Sequence, residues 1–270
     1  MTYDKITFHT ENAEVKDILI AELAALGFDG FEEKESSLEA YMTTGGYETE
    51  MVAEIANKYG VSYDVGSIAQ QNWNAEWERN FQPVIVEGFC TIRADFHKIP
   101  VNTPYEIVIT PKMSFGTGHH ATTRLVMKEM SLLDFKGKKV FDFGTGTGIL
   151  AILAEKLGAT AVLGIDNDQW CYDNAIENLQ RNNTEHTSIS LEPIDHLQGT
   201  YDIILANINR HILLEYMGQM HQLLKPGGKI LMSGLLLEDE PIIRDAAAVA
   251  GFVYKKTETL NNWIVLLLER

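Results

Sequence analysis

The chain has 270 residues, 45% of them hydrophobic, with 38 acidic against 22 basic side chains and a formal net charge of −16. That is enough apolar material for one large domain, or a medium one plus a small one, and it excludes an intrinsically disordered chain. The negative balance argues against sequence-independent binding to bare nucleic acid, which needs cationic surface; it suits a basic partner, with maintenance of solubility an equal account of it. No apolar run reaches transmembrane length, and the first residues lack a basic stretch followed by an apolar core. Cys90 and Cys171 have neither metal nor disulfide spacing, so a reducing cytoplasm is the expected location.

Residues 1–66 read as a unit of their own. Strand patterns at 5–10, 30–33, 38–42 and 61–65 alternate with helical patterns at 14–26 and 48–58, each helix closed by a glycine, Gly27 and Gly60. Strand-helix-strand-strand-helix-strand is the order of a ferredoxin-like α+β sandwich. No motif in it carries chemistry, so recognition is the expected role, a purely structural cap being the alternative. Residues 67–82 form the expected linker helix, with Trp73, Trp77 and Phe81 on one stripe that packs on a neighbouring domain.

Residues 83–270 form the expected third segment. Short strands at 84–86, 90–94 and 106–110 come first, then a loop, a helix at 121–132, and a first central strand at 140–143. Further strands at 161–165, 188–191, 203–206 and 229–233 alternate mostly with helices, the pattern of a parallel, doubly wound α/β sheet. The last two strands, 252–257 and 263–268, are too close for a crossover helix and must form an antiparallel hairpin. That ending suits a methyltransferase sheet and not a dehydrogenase sheet.

Strand 140–143 runs straight into Gly144, Gly146 and Gly148, with Asp142 before them and Asp166 at the end of the next strand. Glycines at the head of a helix followed by an acid after the second strand mark a nucleoside-cofactor site. A dinucleotide fingerprint needs a third glycine where this chain has Ile149, and Asp142 would repel a pyrophosphate. A cofactor with a positive sulfonium and ammonium would welcome that carboxylate. Asp-x-Gly-x-Gly-x-Gly resembles the S-adenosylmethionine loop of Rossmann-like methyltransferases, a nicotinamide site being the alternative. Candidate cofactor residues are thus Asp142, Gly144, Gly146 and Asp166, the last accepting both ribose hydroxyls. Asp168 is read as a helix cap, and Asp195 and His196 as weaker candidates for adenine contacts.

Asn207 ends strand 203–206, where nitrogen methyltransferases present a polar residue to the acceptor. It is followed by Ile208-Asn209-Arg210, without the prolines and aromatic that serve planar acceptors, so an aliphatic amine fits better. Phe115-Gly-Thr-Gly-His-His-Ala-Thr-Thr123 has glycines that let it fold over a ligand and hydroxyls at Thr117, Thr122 and Thr123, Thr122 being also a candidate N-cap. His119 and His120 lack the companion ligands of a metal site, and no metal is expected.

Together these motifs resemble the ribosomal protein L11 methyltransferase family. The resemblance rests on Phe-Gly-Thr-Gly-x-His-x-Thr-Thr, Asp-Phe-Gly-x-Gly-x-Gly-Ile-Leu-Ala-Ile, Gly-Ile-Asp and Ala-Asn-Ile, with Trp-x-x-x-Trp-x-x-x-Phe-x-Pro upstream, and so covers nearly the whole chain. It implies a substrate-recognition domain, a linker and a catalytic domain. The implied reaction is N-methylation of a basic large-subunit ribosomal protein at its N-terminal α-amine and lysine side chains, with no direct nucleic-acid binding required. The family's cofactor residues fall on Thr123, Gly144, Asp166 and Asn207, and Phe115 and Thr117 would cover the methionine end and reaction centre. Family members commonly read Thr-His-Pro where this chain has His119-His120-Ala121. An NAD-dependent oxidoreductase and a non-catalytic cofactor sensor are the rival readings.

Overall fold

The structure, a computed structural model, describes residues 3–28, 30–43, 46–47, 49–68, 81–86, 88–112 and 115–270. Contacts divide the chain into two compact units, Met1–Asn80 and Phe81–Arg270. The expected linker helix, with Trp73 and Trp77, lies almost wholly outside the described residues.

The first unit runs β1 (Tyr3–His9), α1 (Ala13–Ala25), β2 (Gly30–Lys34), β3 (Ser37–Thr43), α2 (Thr49–Tyr59) and β4 (Ser62–Ile68). Its strands pair antiparallel in the order β2-β3-β1-β4, the ferredoxin-like arrangement read from the sequence. Alternation in β1 puts Ile6 and Phe8 into a core with Leu19, Leu23, Leu38 and Val52. Asn12 starts α1 by accepting hydrogen bonds from the amides of Glu14 and Val15, at 3.0 and 3.4 Å. On β3, buried Glu39 is ringed by Lys34, Tyr41 and Lys5, and Lys34 above all holds its carboxyl down at about 2.

In the second unit β5 (Val84–Val86), β6 (Cys90–Ala94) and β7 (Tyr105–Ile109) form a separate three-stranded sheet in which β6 and β7 are parallel. A helix then covers what would be the open edge of β7. Along α5 (Gln169–Arg181) and its cap, Asn174, Asn178 and Asn182 recur every four residues. Asn182 and Asn178 accept from the amides of Val108 and Thr110, at 3.0 and 2.8 Å, and the side-chain amides of Asn182 and Asn174 donate back to the carbonyls of those two residues. Side chains thus stand in for a neighbouring strand and close an edge that would otherwise be unpaired.

The central sheet contains β8 (Lys139–Phe143), β9 (Ala161–Ile165), β10 (Thr187–Ser190), β11 (Tyr201–Asn207), β12 (Leu224–Leu236), β13 (Val253–Leu260) and β14 (Trp263–Glu269). Their order is β10-β9-β8-β11-β12-β14-β13, parallel through β12 and antiparallel at β14 and β13. Helices α3 (Ala121–Met130), α4 (Ile149–Lys156), α5, α6 (Arg210–Glu215), α7 (Met217–Leu223) and α8 (Glu240–Ala250) connect them. Covered on both faces, the central strands are apolar without alternation: Ile203, Ile204, Leu205 and Ala206 are all buried. The hairpin turns at Asn261 and Asn262, whose φ values of 50 and 65 are those a two-residue turn between twisted strands requires. β8 and β11 run parallel, but the order in which successive strands are added reverses between them, β9 and β10 lying on one side and β11 and β12 on the other, which opens a crevice at the C-terminal ends of these strands.

Candidate active site

That crevice is a cavity of about 790 Å³. Its walls come from the glycine loop (Gly144, Gly146), the end of β9 (Asp166), the segment after β10 (Leu191, Glu192, Pro193), the end of β11 (Asn207, Ile208), and rings from elsewhere, among them Phe115, His120 and Trp263.

The glycine loop is fixed by its own backbone. The amides of Gly144 and Thr145 both donate to the Ile165 carbonyl at 2.9 Å, which ties the loop to the end of β9. Gly146 takes a φ of +54, and a Cβ there would lie 2.4 Å from the Phe115 carbonyl oxygen. That oxygen accepts from the Thr147 amide at 3.0 Å, and the Thr147 hydroxyl donates to Gly116 O at 2.7 Å. Only glycine can therefore sit where the 115–118 loop crosses the glycine loop. Asn178 braces the same turn from below, its side-chain amide donating to Thr147 O at 2.8 Å.

Asp166 is partly exposed on the cavity wall. Its Oδ2 accepts from the Gly146 amide at 2.9 Å and its Oδ1 from the Asp168 amide at 3.1 Å. A carboxylate has about four acceptor positions, so each oxygen keeps one for a hydroxyl of a diol. Asp168 is the N-cap of α5, accepting from the amides of Trp170 and Cys171, as its sequence position indicated.

Asp142 sits elsewhere than expected. It is 1% exposed and does not line the cavity. Its Oδ2 accepts from the Thr145 hydroxyl at 2.7 Å, while Oδ1 has no close hydrogen-bond partner. Burial pushes its carboxyl up to about 7; the Thr145 hydroxyl and the Ala151 amide pull the other way, and the Asp166 charge adds to the rise. It therefore braces the glycine loop from beneath, through the Thr145 hydroxyl.

Asn207 lies at the wall with its Nδ2 3.4 Å from Thr123 Oγ1, and its Oδ1 is buried without a partner. An unpaired buried carbonyl oxygen costs roughly 1–3 kcal/mol. Thr123 is fully buried and reaches the cavity only through Asn207. Thr117 turns to His119, with Oγ1 3.1 Å from Nδ1, and does not line the wall. His120, rather than Thr122, caps α3: its Nδ1 accepts from the Thr122 amide at 3.3 Å.

Several wall residues had no sequence signal. Trp263 is far from the motifs and arrives only because β14 docks on β12; its ring meets His120 edge-on at 4.6 Å, and His120 meets Phe115 at 5.2 Å. After β10 the wall is made by Leu191, Glu192, Pro193 and Ile194, just before the expected Asp195 and His196. Among the described residues, no group of three or more His, Cys, Asp or Glu side chains is arranged to hold a metal ion.

The sheet order with its antiparallel β14, the glycine loop, an acid at the end of β9 and an open acceptor at the end of β11 define an S-adenosylmethionine-dependent methyltransferase. The residues fit that cofactor: Asp166 suits the ribose diol, the glycines of the loop leave room for close approach, and Asn207 lines the same wall. Comparison with known proteins narrows the class. The sequence profile described as "Ribosomal protein L11 methyltransferase (PrmA)" matches residues 5–270, so the chain belongs to that family. The ribosomal protein L11 methyltransferase of Phocaeicola vulgatus is 38% identical over 273 aligned positions, covering 97% of both chains. That of Porphyromonas gingivalis is 39% identical, over 97% of this chain and 92% of the relative. Among solved structures, the ribosomal protein L11 methylase of Lactobacillus delbrueckii subsp. bulgaricus aligns with a TM-score of 0.65 and 29% identity, over 70% of this chain and 99% of the other.

Proposed function

We propose that the chain methylates the N-terminal α-amine and lysine side chains of ribosomal protein L11. The observation that carries the choice of an amine is Asn207, which lines the cavity and whose buried Oδ1 has no partner in the fold, an acceptor suited to an amine N–H once the side chain turns to it. S-adenosylmethionine supplies an activated methyl group, so the protein's task is alignment and exclusion of water. Asn207 orients the amine, while Phe115, Ile208 and Trp263 shield the space around it. An amine must be neutral to attack. An α-amine near 8 is roughly ten per cent neutral at pH 7, a lysine near 10.4 far less, and a desolvated site lowers both. His120 accepts at Nδ1 and so carries its hydrogen on Nε2, which makes it no ready base in that tautomer.

Charge supports a basic protein as partner. Residues 1–68 hold 14 acidic against 4 basic side chains, a concentration well beyond that of the remainder. We read the first unit as the capture surface, residues 67–82 as the linker and residues 83–270 as the catalytic domain. Among the described residues no helix is long and apolar enough to cross a membrane. A cytoplasmic location is part of the same proposal, since that is where the ribosomal protein is made.

The test is transfer of labelled methyl groups to purified L11, followed by mass spectrometry of the modified positions. Methylated amines are expected, and Asn207→Ala should lower kcat at least about tenfold, the loss of one good hydrogen bond to the reacting group. Modification confined to other side chains would refute the amine assignment.

A further inference from the structure

We propose that His119 is a positioning residue that ties the loop walling the cavity to the place where residues 1–80 join the catalytic unit. Phe81 and Gln82 open that unit, and two histidines hold their carbonyl oxygens. His97 Nδ1 accepts from the Ala94 amide at 3.1 Å. The ring hydrogen is therefore on Nε2 and is donated to Phe81 O at 2.6 Å. Ala94 is the last, fully buried residue of β6, so this hold is anchored in the sheet.

His119 makes the second hold, from the other direction. Its Nε2 lies 2.9 Å from Gln82 O, its Nδ1 lies 3.1 Å from Thr117 Oγ1, and its ring meets Phe81 edge-on at 4.7 Å. It does not line the cavity. The loop that carries it does: Phe115 stands in the wall, and the carbonyls of Phe115 and Gly116 are fastened to Thr147 in the glycine loop. A continuous path of hydrogen bonds thus runs from Thr147 through Gly116 and Thr117 to His119 and on to Gln82. Along the path, Gly118 at a φ of +88 packs so closely on Ile92 that a Cβ would come within 2.4 Å of its Cδ1. The loop is pinned at its middle, and motion at one end is passed to the other. Further stiffening of the glycine loop by the cofactor then firms the chain at Phe81–Gln82.

The experiment is amide hydrogen exchange on the full chain, with and without saturating S-adenosylhomocysteine, read at residues 81–86. In the unaltered protein, exchange there is expected to slow about fivefold or more on binding, the lower end of usual coupling between sites. His119→Ala should abolish that slowing while leaving affinity for S-adenosylhomocysteine within about twofold. His119→Gln should restore it, because a side-chain amide can donate to Gln82 and accept from Thr117. Undiminished slowing in His119→Ala, or none in the unaltered chain, would overturn the proposal whatever the methyl acceptor proves to be.

Discussion

Replacing Gly146 with alanine tests the crossing of the two loops, and Gly148 provides the control. Both glycines have positive φ, +54 and +79. A side chain in that region costs roughly 1–2 kcal/mol wherever it is placed. At Gly148 the added crowding is milder, because the nearest atoms to a new Cβ are Ala175 Cβ and Leu179 Cδ1, both at 3.3 Å, and a shift of a few tenths of an ångström relieves it. At Gly146 the Cβ would stand 2.4 Å from the Phe115 carbonyl oxygen, which is backbone and cannot rotate away. Relief requires parting the loops, which gives up the Thr147 bonds to Phe115 O and Gly116 O, about 1 kcal/mol each. Gly146→Ala should therefore cost about 3–4 kcal/mol and Gly148→Ala about 1–2. A difference of about 2 kcal/mol is roughly thirtyfold in an equilibrium constant. The cost falls on cofactor affinity if the loop moves and on stability if it is held, so both must be measured, by titration calorimetry and thermal unfolding. Equal effects of the two substitutions would show that the collision with Phe115 does not control the loop.

Asp166→Asn keeps the shape but removes the charge that strengthens hydrogen bonds to the ribose and to the Gly146 amide; cofactor affinity should fall about tenfold to a hundredfold by calorimetry, with thermal stability little changed. Asp142 should make stability depend on pH. Its carboxyl ordinarily titrates at 3.8 and is raised to about 7 in the fold, so between those values the native state holds a proton the unfolded chain has released. The contribution is complete below about 4 and is lost as pH rises through 7, to a total of at most about 4 kcal/mol. Denaturant unfolding of Asp142→Asn beside the unaltered chain from pH 5 to 8 should show the variant gaining relative stability as pH rises, and a constant gap would refute the assignment. With 14 acidic against 4 basic side chains in residues 1–68, KM for L11 should rise severalfold between low and moderate salt while cofactor affinity stays nearly level. A salt-independent KM would remove charge from the account of docking.

The central sheet was legible because strands covered on both faces must be apolar throughout, as at 203–206, and because the short turn before Trp263 leaves no room for a crossover. The strand 106–110 could be read as a strand but not assigned to a sheet. Its partners are β6 on one side and the asparagines of α5 on the other, and the latter are nearly seventy positions away in sequence. Within the site, residues on the strand-loop-helix turn were legible by spacing, since Gly144, Gly146 and Asp166 are placed by local backbone. Depth was not. Nothing in the spacing says that Asp142 lies beneath the loop, nor that Thr117 turns towards His119 and away from the wall. Trp263 was illegible for a simpler reason: its place depends on pairing with Leu236 across the sheet, which no local pattern encodes.

The position of β14 bears on how the molecule assembles. Among the described residues β13 pairs only with β14, so it cannot join the sheet before β14 does; a short hairpin that closes locally across Leu260 and Trp263 would dock on β12 as one piece. Five parallel strands can pair before that event, but the wall at Trp263 and the antiparallel edge of β12 cannot be completed without it. Secondary structure should therefore recover ahead of cofactor binding during refolding, and the lag between the two signals is the time the hairpin takes to dock.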